Sequence, residues 1–293
     1  MRNMTGRRLA GLLFRLGLLG GCIVYALWGV DFAQLVDAML GYAPEKIFVV
    51  FALSWLPYIA MSVRLRTLLA AVPSPPSLRD TTTASLFALG MNNILPARLG
   101  ELAKIVYLRQ RSTARSGLIT GAVFWERFAD IHALLVLSLV IVAALGRRQE
   151  LIPLVLMTGI GWGVLGFLRL RPAALDPLVQ RLPSESLRRF ADDTLGALRR
   201  GLGWRVSVST VVWTVVVWIF YSLHVYLVVV WVADLPVSTV QALVLVLGVS
   251  LGATLPVSPG ALGIYEAIFV LLLGWFGVAP EAALAAGLTA HMI

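Results

Sequence analysis

Long apolar runs alternate along this chain with short polar or basic intervals, and two of the runs are broken in the middle. A membrane-spanning helix needs about 20 mostly apolar residues. Residues 9–30, 47–72, 117–145, 151–170 and 206–232 meet that length, while 280–293 supplies about two-thirds of it and predicts a shallow or shortened last helix. Between these runs lie two segments of a different kind. Apolar pieces 81–95 and 99–109, and likewise 240–255 and 261–277, are each short for a span. They are joined through MNNILPARLGE and TLPVSPGALGIYE, where amides, prolines, glycines and charges interrupt the apolar pattern. Each pair predicts a re-entrant helical hairpin, 81–111 and 240–277. Non-helical backbone at that depth is tolerated only where protein or a water-filled cavity surrounds it.

The expected fold is therefore an all-α polytopic membrane protein with about six transmembrane helices and two re-entrant hairpins. Residues 1–293 form a single membrane domain in two halves, 1–145 and 151–293, each with one broken hairpin. Arg79 precedes the first hairpin and Arg109, Arg111 and Arg115 follow it, so it enters from the basic, cytoplasmic side. The second hairpin enters from the other side, which makes the halves an inverted repeat. Short, Gly/Pro-interrupted segments at matching places in two halves point to a transporter site near the midplane. Segment 171–205 is polar and arginine-rich. Leu187, Phe190, Leu195 and Leu198 give it an amphipathic helical period, and it is expected on the cytoplasmic surface.

Composition agrees. The chain is 59% hydrophobic and 13% charged, about half the charge of a soluble domain, and its mean hydropathy is +0.87. The net charge of +9 would suit a nucleic-acid partner only if it formed one stripe. It gathers instead at Arg2, Arg7 and Arg8, at 98–115 and at 169–205, as expected for cytoplasmic ends facing anionic lipid. The N-terminus is thus placed in the cytoplasm, with Asp31, Asp37 and Glu45 outside; Arg147 and Arg148, in an outer loop, run against the trend. The first apolar run is too long for a signal peptide. Cys22 is the sole cysteine, so no internal disulfide forms. No P-loop, dinucleotide fingerprint, zinc spacing or nucleophile elbow occurs, so no metal, cofactor or enzymatic activity is expected. Without an ATP site, any transport would run downhill or on an ion gradient.

Three groups of residues carry the candidate chemistry. Arg98, Glu101 and Lys104 follow Pro96 at helical spacing and share a face. They are either a solvated helix start or a site in which Arg98 and free backbone N–H groups hold a phosphate. Asn92 and Asn93 either satisfy the interrupted backbone or bind the same ligand. Glu126, Arg127 and Asp130 lie inside a span, Glu126 about 14 Å along it. Charges there are costly and must be paired, as an ion-pair latch with Arg98 or Lys104, as a polar track for a headgroup, or as both. Pro259, Gly260, Gly263 and Glu266 form the second break, with Pro96 and Gly100 as the turn residues of the first. No basic residue is near Glu266 in sequence, so its expected partner is Arg98, Lys104 or Arg127. His132 and His224 are expected to serve helix packing.

The motifs GMNNILPARLGELAKIVYL, WERFADIHALL and PVSPGALGIYEAIFVLLL resemble the lysylphosphatidylglycerol synthase transmembrane-region family, also called flippase-like. The resemblance covers nearly the whole chain. The family's patterns fall on Asn92 or Asn93, Leu95, Pro96, Ala97, Arg98, Gly100 and Glu101; on Glu126, Arg127 and Asp130; and on Pro259, Gly260, Gly263 and Glu266. A frequent arginine after the Gly-Glu pair is Lys104 here. The family's last helix usually runs further than Ile293. The resemblance implies a translocase of the bacterial cytoplasmic (inner) membrane that moves a charged-headgroup lipid between leaflets. Its partners would be an anionic or aminoacylated phospholipid or a lipid-linked precursor, with a lipid-synthesising enzyme nearby and no nucleic acid. The nine polar residues Asn92, Asn93, Arg98, Glu101, Lys104, Glu126, Arg127, Asp130 and Glu266 are the expected substrate-binding set. The alternatives are a membrane-embedded transferase on lipid-linked sugars or hopanoids, or an accessory scaffold acting through 171–205.

Overall fold

The computed structural model describes residues 6–70, 72, 74–94, 99–255 and 258–293, and among them every regular element is helical. In chain order the helices are α1 (Gly6–Leu27), α2 (Phe32–Leu40), α3 (Pro44–Leu53), α4 (Leu56–Leu68), α5 (Leu78–Ile94), α6 (Gly100–Arg111) and α7 (Ser116–Ala144). They continue with α8 (Leu151–Leu170), α9 (Asp176–Gln180), α10 (Glu185–Gly201), α11 (Trp204–Tyr226), α12 (Thr239–Gly252), α13 (Ile264–Trp275) and α14 (Pro280–Met292).

Among the described residues four spans are long and apolar enough to cross a membrane: Pro44–Leu68, Ser116–Ala144, Arg148–Leu170 and Trp204–Val232. A fifth is made by Leu13–Leu27 with Phe32–Leu40 if that pair, bent by 76°, counts as one. The bend has a local cause. Gly29 takes φ 72°, and Asp31 then caps α2 by accepting from the N–H groups of Ala33 and Gln34. The second span is interrupted between α3 and α4, where Pro57 cannot donate to the turn before it. Both broken segments appear as pairs of short helices, α5 with α6 and α12 with α13.

The chain divides into two compact units. The first comprises Met1–Trp55, Met91–Leu99 and Phe220–Ile293; the second comprises Leu56–Gly90 and Gly100–Ile219.

In the first unit, small residues set the helix spacing. Cβ atoms at Gly248 and Gly252 would run into Leu272 and Ile268 of α13, and one at Gly287 would lie 2.9 Å from Phe269 Cβ. Ala283, Leu284, Ala285 and Ala286 of α14 are all buried. Lipid tails are as apolar as leucine, so helices in a bilayer gain by close backbone approach more than by escaping solvent.

The second unit has its core at Leu65, Leu69, Ala84, Leu108, Ile119 and Ala122. The arginine-rich segment supplies α10, which starts at the Ser184 cap and ends in Arg199 and Arg200, a placement suited to the helix dipole. It lies along the first turns of α7. A Cβ at Gly117 would sit 2.5 Å from the Phe190 carbonyl oxygen, and one at Gly121 would meet Ala197 and lie 2.9 Å from the Thr194 oxygen. Trp125 Nε1 donates to the Leu198 carbonyl at 3.0 Å, beside Gly201. Leu195 and Leu198 are half-buried by this packing, whereas Leu187 and Phe190 stay exposed. Trp125, Phe128, His132 and Trp162 form one aromatic cluster. His132 Nδ1 contacts the Phe128 carbonyl, and in the first unit His224 Nε2 contacts the Ala290 carbonyl.

Gly121→Val is expected to push α10 away from α7 and to cost about 1–3 kcal/mol. Gly163→Val, at a position where a side chain meets nothing, should leave stability unchanged. Thermal unfolding of the two variants in the same detergent compares them; equal midpoints would show that α10 is not held by close approach.

Candidate functional site

Three helices of the second unit bring six charged side chains together. Glu101 and Lys104 stand one turn apart at the start of α6, which begins at the buried Gly100. Glu126, Arg127 and Asp130 come from the middle of α7, and Arg64 from α4. The ion pairs close a ring of alternating sign. Arg64 meets Asp130 at 2.8 Å, Asp130 meets Arg127 at 3.4 Å, and Arg127 meets Glu101 at 3.1 Å. Glu101 meets Lys104 at 3.3 Å, Lys104 meets Glu126 at 3.2 Å, and Glu126 returns to Arg64 at 3.8 Å. Thr214 of α11 accepts from Arg64 at 2.9 Å while donating to the Thr210 carbonyl, so α11 fixes the guanidinium from a fourth side.

Three positive and three negative groups give the ring no formal net charge, the arrangement a low-dielectric interior tolerates best. Its exposure is graded. The side chains of Arg64, Lys104 and Glu126 are 0%, 1% and 0% exposed, whereas those of Asp130, Glu101 and Arg127 are 17%, 23% and 37% exposed. Hydrogen bonding inside is incomplete: Arg64 Nε and Nη2 and Glu126 Oε1 are buried without a hydrogen-bond partner. The inner half of the ring is buried, and the outer half is partly exposed.

The structure thus joins five of the expected site residues: Glu101, Lys104, Glu126, Arg127 and Asp130. It adds Arg64, which stands near the end of the apolar run 47–72, two residues before Arg66. On α4 the buried face runs through Pro57, Ala60 and Arg64, so Arg64 is turned inward while Arg66, two residues on, is exposed. The charge count offered a signal: Glu101, Glu126 and Asp130 against Lys104 and Arg127 leave one positive charge to be found. Pro96 and Arg98 lie outside the described residues.

The other candidates lie in the first unit, around the second break. Gly260 and Gly263 take φ 59° and 80°, and Ala261 takes φ 60°, a strained value for a residue with a Cβ. Pro259 opens the 3₁₀ turn that carries Gly260 and Ala261, and Gly263 stands at the N-cap of α13. Asn93, at the end of α5, is brought against this turn. A Cβ at Gly260 would lie 3.2 Å from Asn93 Oδ1 and 3.5 Å from its Cα, so a side chain there would press on the asparagine. Asn92 stands in the same last turn of α5, half-buried.

Glu266 is paired with a residue outside the expected set of Arg98, Lys104 and Arg127, of which Arg98 lies outside the described residues. Its Oε2 accepts from the Gly263 N–H at 2.7 Å, and its Oε1 lies 2.6 Å from His291 Nδ1. The partner is a residue of α14, brought in by the packing of α14 on α13. Lys104 and Arg127 are instead held by the acids of the ring. His291 was missed because 25 residues separate it from Glu266.

A multi-pass helical protein with a neutral ring of charges inside its spans, and with two broken apolar segments, has the build of a membrane protein that handles polar groups within the bilayer. The chain belongs to the family described as the lysylphosphatidylglycerol synthase TM region, which matches residues 12–293. Membership ties this membrane protein to the handling of lipids. No curated protein and no solved structure matches the chain.

Arg64→Leu leaves Asp130 and Glu126 facing a lost cation and is expected to destabilise the protein by about 3–5 kcal/mol, as breaking a buried pair does. Adding Asp130→Asn should restore part of that loss. Thermal unfolding in detergent measures both; an unshifted midpoint for Arg64→Leu would remove Arg64 from the ring.

Proposed function

We propose that this protein moves a lipid with a charged headgroup between the leaflets of the bacterial inner membrane. The observation that carries the proposal is the closed ring of six alternating charges with a buried half and a reachable half. A purely structural latch needs no open edge. In this site Arg127, Glu101 and Asp130 present both signs of charge at the edge, while Arg64, Lys104 and Glu126 keep their places behind them.

The chemistry follows from partner exchange. A headgroup phosphate takes Arg127, for which guanidinium geometry is suited. A headgroup amine takes the carboxylates of Glu101 and Asp130, released from Arg127 in the same step. No net charge is buried or exposed, so the exchange avoids the cost of carrying an unpaired ion into hydrocarbon. A headgroup with both signs, such as an aminoacylated phospholipid, fits this exchange better than a simple anion. The acyl tails stay in lipid throughout. The family membership and the broken segments support the same reading. Within it the two hairpins enter from opposite faces, and the N-terminus is cytoplasmic.

Arg127→Ala removes the cation at the edge and spares the buried anchor. In vesicles containing a headgroup-labelled aminoacyl phospholipid, the purified protein should expose inner-leaflet label to a membrane-impermeant reagent. The variant should do so roughly tenfold more slowly, the loss expected from one charge-assisted contact. Equal rates for the wild type and a well-folded Arg127→Ala would overturn the assignment of the edge. A lipid product of changed mass, made by the purified chain alone, would favour a transferase instead.

A further inference from the structure

The second break holds a group with a definite need for a proton. His291 Nε2 lies 2.8 Å from the Gly260 carbonyl oxygen, which can only accept, so Nε2 carries a hydrogen. His291 Nδ1 lies 2.6 Å from Glu266 Oε1. The other carboxylate oxygen is already an acceptor, for the Gly263 N–H. A neutral imidazole has one N–H, and that one is committed to Gly260. The Nδ1 contact then needs a second hydrogen, either on the imidazole, beside a carboxylate, or on the glutamic acid, beside a neutral imidazole. Both contacts exist together only when the pair holds that additional proton. Without it, one of the two must open.

The contacts brace the turn from three sides. Gly260 contributes its carbonyl, Gly263 its N–H, and α14 the imidazole. The Tyr265 ring stacks on His291 at 4.4 Å and keeps it in plane. Gly260 and Ala261 hold left-handed backbone, which is strained at Ala261. Among the described residues the neighbouring elements add no competing charge at the pair. α12 carries no titratable residue, and α1 presents Leu19 and Ile23 at Gly263. Arg15 on α1 and Asp37 on α2 are exposed. Glu281, at the far end of α14, accepts from the Asp31 N–H. His224 is engaged by the Ala290 carbonyl, and Asn93, against Gly260, does not titrate.

We propose that His291 and Glu266 form a proton-binding site whose occupancy locks the Pro259–Gly263 turn, and whose deprotonation releases it. Binding is simple: the neutral imidazole and the carboxylate take up one proton, and the pair goes from one negative charge to none. The site itself stands apart from the translocation reading. Its use, to make movement of the broken segment depend on a proton, rests on that reading.

Glu266→Gln separates the possibilities. The amide oxygen accepts from the Gly263 N–H while the amide nitrogen donates to His291 Nδ1, reproducing the protonated pair without a titrating acid. Hydrogen exchange of the peptide covering 258–265, corrected for intrinsic chemistry, is measured in detergent between about pH 5 and 9. In the wild type, protection should fall roughly tenfold as the pH rises through the midpoint of the pair. Glu266→Gln should stay protected across the neutral and alkaline part of that range, and His291→Gln should be unprotected throughout. Wild-type protection that is flat with pH, or a Glu266→Gln variant that loses protection as the wild type does, would overturn the proposal. The measurement reads the turn and not lipid movement, so either idea can fail alone.

Discussion

Burying charge inside the spans of a membrane protein is the constraint on which the second unit depends. An ion moved into hydrocarbon loses its hydration, and the loss exceeds what a single loosely placed partner returns. Here each of six ions has two neighbours of opposite sign, and the cluster as a whole is neutral. The arrangement ties α4, α6 and α7 to one another, and Thr214 adds α11. No helix of that group can shift far without separating a buried pair. The same ring that restrains the helices is incompletely hydrogen-bonded at Arg64 and Glu126 and partly open at Arg127. It joins rigidity with a place for exchange.

Close packing positions the ring. On α7, Gly117, Gly121 and Trp125 face α10, while Glu126 and Asp130 face the charges. The two faces belong to one rigid helix, so the seat of α10 against Trp125 helps to set where Glu126 lies. Glycines matter at this contact because a β-carbon would collide with backbone atoms, which cannot turn aside as a flexible side chain can.

The second break solves a different problem. A turn within apolar surroundings exposes carbonyl and N–H groups that have no water to bind. Glu266 and His291 satisfy two of them, and they do so with groups that titrate. An asparagine or a serine would satisfy such groups at any pH. The titrating pair makes the satisfaction of the backbone depend on a proton, and the left-handed Ala261 beside it is strained.

Much of this was legible in the order of residues. Hydropathy with the 20-residue requirement predicts the helical membrane fold, the broken segments around Asn93 and Gly260, and the positions of Glu101, Lys104, Glu126, Arg127 and Asp130 as charges that must find partners. These follow from local chemistry: a proline or glycine breaks a helix wherever it stands, and a charge in an apolar run is costly whatever surrounds it. Which partner each charge takes is not local. Arg64 looked like one more arginine at the end of a span, and only the rotation of α4 turned it inward while leaving Arg66 outside. Glu266 looked solitary until α14 laid His291 against it. The sequence by itself determined that charge and broken backbone would fall among apolar helices. The tertiary structure decided the pairings, because a neutral ring and a braced turn are assembled from helices distant along the chain, and only their packing brings those groups within hydrogen-bonding reach.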